Sequence, residues 1–447
     1  MPQSKELRSA LRDSTIDGTA SSVTGTITGN YITPFALALG ADAGAIGLMN
    51  SIPKLAGTLV QPFVGRFIKI MGGRKPACNT MTLVGRLLLI PIALIPFIFT
   101  TNPVWWLIGL LSLSQLASNL AVTAWASWIG DLVPQNIMGR FFGRRNSIGG
   151  MAAFLTTLGA GALLTRLDGM FGFTTIFLLA VVAGLVSNFY LRRIPEPAFH
   201  DGHHMRSPIS EFRSELRKNH NFKRFVFYIS SFYLATYIAA PFFAVSMLKD
   251  FNIGYEAYAL VIAFNMLAVI ISQPYWGRLA DRFGDRAVLA VCAVFTTLVP
   301  AFWLFVHEPV GMMFIYMFSG FAWAGFDLAT FNYLLGATSH KPSYIANYSM
   351  LTGLAVVAGP LIGGALAESG IAVVSLVGLS TVFLVSFVLR ALFSTLMMPG
   401  LAEVRPAKWV PPVQVLLWKS LTVYPLRFLT HEMSVAQHYI YHHRPRR

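Results

Sequence analysis

The sequence predicts an all-α membrane protein of twelve transmembrane helices arranged as two six-helix pseudo-repeats. Three observations predict it. Of the 447 residues, 55% are hydrophobic and only 12% charged, about half the charge of an ordinary soluble chain. The apolar residues are gathered into twelve runs, each long enough to cross a hydrocarbon core about 30 Å thick. The charges sit mainly between the runs.

The first six runs are Ile16 to Leu39, Ile46 to Val64, Ala77 to Phe99, Val104 to Leu132, Ile148 to Leu164 and Phe171 to Leu191. Six more follow: Phe222 to Leu248, Tyr255 to Trp276, Ala287 to Val306, Val310 to Ala337, Ile345 to Ala367 and Ile371 to Met398. They define an N-terminal bundle, 16–191, and a C-terminal bundle, 222–398. Segment 192–221, rich in charge, histidine and proline, reads as a cytoplasmic linker between them. Residues 1–15 form a polar segment with no cleavable signal peptide. In the tail, 399–447, Leu416, Leu417, Leu421, Leu426, Phe428 and Leu429 are interleaved with Lys419 and Arg427. That is too short and too charged for a thirteenth span, and it fits a basic amphipathic segment on the membrane surface or on helix ends.

A net charge of +15 would point to nucleic acid in a soluble protein. Here the basic residues lie in short loops, where they act as topology signals, so the expected partner is the lipid bilayer and not nucleic acid. Alternate loops collect Arg66, Lys69, Arg74, Lys75, Arg140, Arg144, Arg145, Arg278, Arg282, Arg286 and Lys341, together with the linker and tail. The opposite loops hold Arg166 and Lys249. The asymmetry places both termini in the cytoplasm, at a plasma or inner membrane. Cys78 and Cys292 fall within apolar runs and argue against a disulfide framework. No P-loop, zinc-ligand cluster or nucleophile elbow occurs in a polar segment, so neither an enzyme nor a cofactor is expected.

Aligning QPFVGRFIKIMGGRK from Gln61 with QPYWGRLADRFGDRA from Gln273 matches Gln, Pro, Gly, Arg and a second Gly at a constant offset of 212. Asn102, Pro103 and Val104 match Glu308, Pro309 and Val310 at an offset of 206. The halves therefore read as parallel repeats. The second copy, GRLADRFGDRAVL, resembles the loop signature of the major facilitator superfamily through Gly277, Leu279, Asp281, Gly284 and Leu289, with Arg286 beside it. The first keeps Gly65, Gly72, Arg74 and Lys75 but has Lys69 in place of the acid. The resemblance implies two six-helix bundles around a central cavity that opens alternately to each side. It also implies that the loop acid helps close the cytoplasmic side, a role Lys69 does not match. GPLIGG, from Gly359, looks like an antiporter motif but lies on the eleventh run, where close packing of small residues accounts for it.

Ionisable residues deep in a bilayer are costly and mark functional candidates. Lys54 and Arg86 each lie eleven residues from Gly65 and Lys75, roughly 16 Å deep at about 1.5 Å per residue. Asp327 lies thirteen residues before His340, roughly 20 Å deep on the same scale. Asn50, Lys54 and Thr58 share one face of the second helix, which suits an anionic or hydroxyl-rich solute or else an interhelical polar contact. Arg86 reads as a structural group bonded to helix ends or to an acid such as Asp131. Ser22, Thr26 and Asn30 form a stripe on the first helix, and Ser112, Gln115, Asn119 and Thr123 form one on the fourth. The resemblance makes these helices cavity-lining, completed by Tyr233, Tyr237, Trp323, Asp327 and Thr330. In the loop DLVPQNIMGRFFGRRN, Arg140, Arg144 and Arg145 are expected near Asp131, as a gate or as plain topology anchors.

The expected function is alternating-access transport of a small organic solute, either facilitative or coupled to protons or another ion. The alternative is a non-transporting receptor or assembly protein with the same fold. Asp327 is the expected coupling residue, with a static hydrogen-bonded acid as the competing reading. The orientation has a direct check: a reporter fused to the C-terminus is active on the cytoplasmic side, and activity confined to the outside overturns the topology.

Overall fold

The computed structural model describes residues 3–167, 169–197, 219–338, 342–370 and 378–404, which are helical but for short connections, with no strand among them. α1 is Gln3–Asn30, resumed as Ile32–Ala38. α2 is Ala43–Val60, continued through the 3-10 turn Gln61–Phe63 into Val64–Ile70. α3 comprises Arg74–Leu87, Leu89–Ala93 and Ile95–Ile98. Pro91 and Pro96 fall in its two short segments, as expected of residues that remove a helical hydrogen bond. α4 is Pro103–Leu132, α5 Gln135–Arg166 and α6 Gly169–Arg193. α7 is His220–Ala239, then Phe242–Val245 and a π turn Ser246–Asp250. α8 is Tyr255–Phe283, α9 Asp285–Trp303, α10 Pro309–Thr338, α11 Pro342–Glu368 and α12 Leu379–Met397. Most of the linker, and the tail beyond Val404, lie outside the described residues, as do Lys341 and His340.

Ten of these twelve elements are long and apolar enough to cross a membrane on composition alone; α1 and α2 are the others. α1 starts at Gln3, well before the apolar run expected from Ile16. Its early polar groups are shielded: Asp13, Ser14 and Asp17 are all buried, and Asp13 faces Arg193 on α6 at 3.5 Å. Burial within the bundle, rather than exposure to lipid, makes such a helix tolerable.

The helix neighbours repeat between halves. In the first half α1 packs on α5 and α6, and α4 on α2 and α3; in the second, α7 packs on α11 and α12, and α10 on α8 and α9. The repeated loop is matched in detail. Gly72 and Gly284 have φ of 76° and 89°, a region glycine enters without strain. The Arg74 N–H donates to Glu196 at 2.8 Å and the Arg286 N–H to Glu403 at 2.9 Å. Each carboxylate thus caps a helix that begins after a glycine without a capping side chain, at the positive end of its dipole.

The halves meet through α2 against α11 and α5 against α8, partners exchanged by the repeat. Small residues allow the approach. Gly364 abuts the Ala43 carbonyl, Gly44 and Gly47, while Gly359 and Gly363 abut Tyr237 and Ile238 on α7. The GPLIGG segment is therefore a packing surface, as its small residues indicate. A methyl group at Gly363 would overlap the Ile238 carbonyl. Gly363→Ala should cost about 1–3 kcal/mol of stability, seen as a lower unfolding temperature in detergent; an unchanged transition counts against this close contact.

Candidate functional site

Between the halves, the hydrogen bonds among described residues lie toward the end where α1 joins α2. Gly44 N–H donates to Glu368 at 2.6 Å, Ser51 Oγ–H to the Val357 carbonyl at 2.7 Å, and Tyr258 O–H to the Asn30 carbonyl at 2.8 Å. Tyr31 O–H donates to the Thr157 carbonyl and packs edge-on to Tyr258. This end is sealed by direct contact.

Deeper in the bundle, a cavity of about 290 Å³ is bordered by Tyr233, Tyr237, Trp323 and Asp327, all expected from the sequence, and by Tyr316 and Arg390. The i, i+4 spacing of Tyr233 and Tyr237 on α7, and of Trp323 and Asp327 on α10, turns each pair to one face. Tyr233 stacks with Trp323 at a centroid distance of 6.5 Å. Tyr233 and Asp327 border the same cavity, and the Asp327 side chain is open to it. Among the described residues Asp327 has no ion-pair partner.

Lys54 reaches this region but not Asp327. Its ammonium lies 4.6 Å from the Tyr237 ring centroid, a cation–π distance. Lys54 thus crosses from α2 onto Tyr237 of α7 rather than to α10. Asn50 and Thr58 bond back to their own helix, at the Ile46 and Lys54 carbonyls, 3.0 and 2.8 Å away. Asn30 does not line this cavity: it bonds Thr157 on α5 at 3.3 Å and belongs to the sealed end. On α4, Ser112, Asn119 and Thr123 bond to the carbonyls of Ile108, Gln115 and Asn119. Gln115 and Thr123 remain exposed, and Asn119 packs on Gly57 of α2.

A second polar cluster occupies the N-terminal half. A cavity of about 230 Å³ is bordered by Asp17, Ser21, Arg86, Trp125, Arg145 and Ser187. Asp17, 4% exposed, accepts from Ser187 at 2.7 Å and faces Arg145 at 3.6 Å. The Arg145 guanidinium lies over Trp125 at 4.7 Å. Arg86 donates to Ser21 Oγ at 2.8 Å, and its stem packs against Gly184. Its partners are therefore on α1, not at helix ends and not at Asp131.

Asp131 itself pairs with Arg74, which also approaches Glu196 at 3.6 Å. The expected grouping of Asp131 with Arg140, Arg144 and Arg145 is not formed among the described residues: Arg145 points inward to Asp17, and Arg140 is exposed. The turn of α5 decides this, since Arg145 faces α1 while Asp131 at the end of α4 faces the start of α3. Gly65, Lys69, Gly277 and Asp281 lie on α2 and α8 near the repeated loops, and Gly284 caps α9.

Reading the sequence missed Asp17 and Arg390, and gave Arg145 the wrong partner. Each looks like an ordinary helix-end charge when taken alone. A usable signal was present: Asp13, Asp17 and Ser21 recur at i, i+4, as do Ser386 and Arg390, so each set shares one helix face.

Two repeated bundles of membrane-crossing helices, enclosing polar cavities and sealed at one end, define a transporter of small solutes that works by alternating access, not an enzyme. The chain belongs to the Major Facilitator Superfamily, whose family model matches residues 18–237 and again 225–437. It is similar to a multi-drug resistance efflux pump PmrA homolog of Lactococcus lactis subsp. lactis (strain IL1403), 26% identical over 357 residues, covering 74% of this chain and 81% of that one. Among solved structures, a bacterial homolog to the human lysosomal transporter Spinster superposes with a TM-score of 0.67 at 12% identity, covering 91% of this chain and 99% of that one. A D-xylose–proton symporter gives 0.66 at 12% identity, covering 90% and 99%.

The buried Asp17 cluster makes a stability prediction. Asp17→Asn removes the buried carboxylate that faces Arg145 and should destabilise the protein by about 3–5 kcal/mol, the usual cost of breaking a buried pair. Thermal unfolding in detergent measures it, and a wild-type transition would show that Asp17 carries no such pairing.

Proposed function

We propose that the solute path runs through the cavity bordered by Tyr233, Tyr237, Trp323 and Asp327, with Lys54 at its edge, and that Asp327 is the coupling residue. The observation that carries this reading is a carboxyl group within the bundle that is open to a cavity beside Tyr233 and, among the described residues, has no cation paired with it. An ion pair would hold the carboxylate charged in every state. Neutral neighbours let the group take up and release a proton as access changes, so a proton is the coupling ion that fits best.

The charge asymmetry of the loops puts the end bearing Gly44 and Glu368 outside, and both termini in the cytoplasm. On that orientation the sealed end is extracellular, and the arrangement is closed to the outside. The moving bodies are then 16–191 and 222–398, joined by 192–221, with Gly65, Lys69, Asp131, Arg140, Gly277, Asp281, Gly284 and Arg286 at the cytoplasmic gate. Contacts between α2 and α11, and between α5 and α8, would part as the outer end opens.

The test is Asp327→Asn, which keeps the size of the side chain and removes its proton. In proteoliposomes loaded with a transported solute, the variant should lose accumulation driven by a proton gradient while solute exchange at equal concentrations persists. Wild-type accumulation by Asp327→Asn eliminates Asp327 as the coupling residue.

A further inference from the structure

Among the described residues Arg390 is the most deeply buried cation of the C-terminal half, and the transport chemistry so far described does not use it. It lies on α12 within an apolar span and is 1% exposed. Its guanidinium donates to Ser386 Oγ at 3.1 Å, to the Thr296 carbonyl at 2.7 Å and to the Thr236 carbonyl at 3.4 Å. All three acceptors are neutral. Arginine carries five N–H donors and stays charged in proteins, so these bonds orient the group without neutralising it.

Among the described residues no carboxylate lies within ion-pair distance of Arg390. An unpaired charge in a membrane interior is costly, and polar groups held there against that cost ordinarily serve a passing ligand. A tie between α7, α9 and α12 needs hydrogen-bond donors but no charge. The group also borders the cavity that contains Asp327. With Lys54 over the Tyr237 ring, the side chains around this space supply two cations against one carboxylate. The remaining walls are aromatic, including Tyr316 and Trp323.

From this we infer that the cavity selects solutes carrying an anionic group of the carboxylate type on an aromatic or apolar body, the anion seated at Arg390. The inference rests on the proposal that this cavity is the solute path. A planar guanidinium fork suits a carboxylate, which can take two parallel hydrogen bonds from it. The flat body then lies among the tyrosines and Trp323. Asp327 remains available to exchange a proton, so that a bound anion and a coupling proton occupy different groups of one cavity.

The experiment uses the full chain in liposomes with Ala240→Cys, a position bordering the same cavity; the native Cys78 and Cys292 are both buried. The probes are two thiol reagents of similar size and opposite charge, 2-sulfonatoethyl methanethiosulfonate and 2-(trimethylammonio)ethyl methanethiosulfonate. Each rate is divided by that of the same reagent with free 2-mercaptoethanol, and the rate of the unsubstituted chain is subtracted. The anionic reagent should be favoured about tenfold, the scale of one net charge a few ångströms away in a water-filled cavity. Arg390→Gln should erase the preference and Arg390→Lys should keep it. Equal corrected rates, or a preference for the cation, overturn the anion selectivity while leaving the path intact. Failure of both reagents to reach the cysteine overturns the path itself. The ratio for Ala240→Cys alone decides the question if the Arg390 variants do not fold.

Discussion

The cost of placing a charged side chain in hydrocarbon governs this bundle more than any single contact does. Asp17, Lys54, Arg86, Arg145, Asp327 and Arg390 all lie on helices of the bundle, and none can face lipid cheaply. Their solutions differ. Asp17 and Arg145 approach each other, Lys54 lies on an aromatic face, Arg390 is ringed by neutral acceptors, and Asp327 opens onto a cavity. Once these groups are turned inward, the rotation of α1, α2, α3, α5, α10 and α12 about their axes is largely determined.

Packing of small residues answers a second need, that two rigid halves meet closely yet separate. Gly44, Gly47 and Gly364 bring α2 and α11 nearly backbone to backbone, and Gly161 does the same for α5 against α8. Such surfaces are held by shape and a few hydrogen bonds rather than by interlocked large side chains. An interface of that kind is suited to opening as a unit. By contrast, the cores within each half are built from large groups such as Trp128, Trp276, Trp303 and Tyr333, which resist rearrangement.

The repeat extends beyond helix order to the chemistry of helix starts. Glu196 and Glu403 cap α3 and α9 from equivalent places after the last helix of each half. Trp128 and Tyr333 likewise donate to the carbonyls of Pro195 and Ala402. One end of each half is thereby tied to its own final turn. The cavities depart from the symmetry: the first half holds a charged cluster around Asp17, the second an aromatic chamber around Asp327.

By itself the sequence determined the twelve spans, their grouping into repeated halves and the helix faces that carry polar groups, because hydropathy and 3.6-residue periodicity are local properties of the chain. Tyr233 with Tyr237, and Trp323 with Asp327, were legible in this way. Tertiary structure alone decided which groups from different helices meet. Asp131 takes Arg74 rather than Arg145, Arg86 turns to Ser21, and Lys54 stops at Tyr237. Asp17 and Arg390, near the ends of their apolar runs, pass for boundary charges until neighbouring helices close over them. Partner choice depends on helix rotation, tilt and depth, which are set where glycine surfaces on separate helices come together, and no local pattern encodes that meeting.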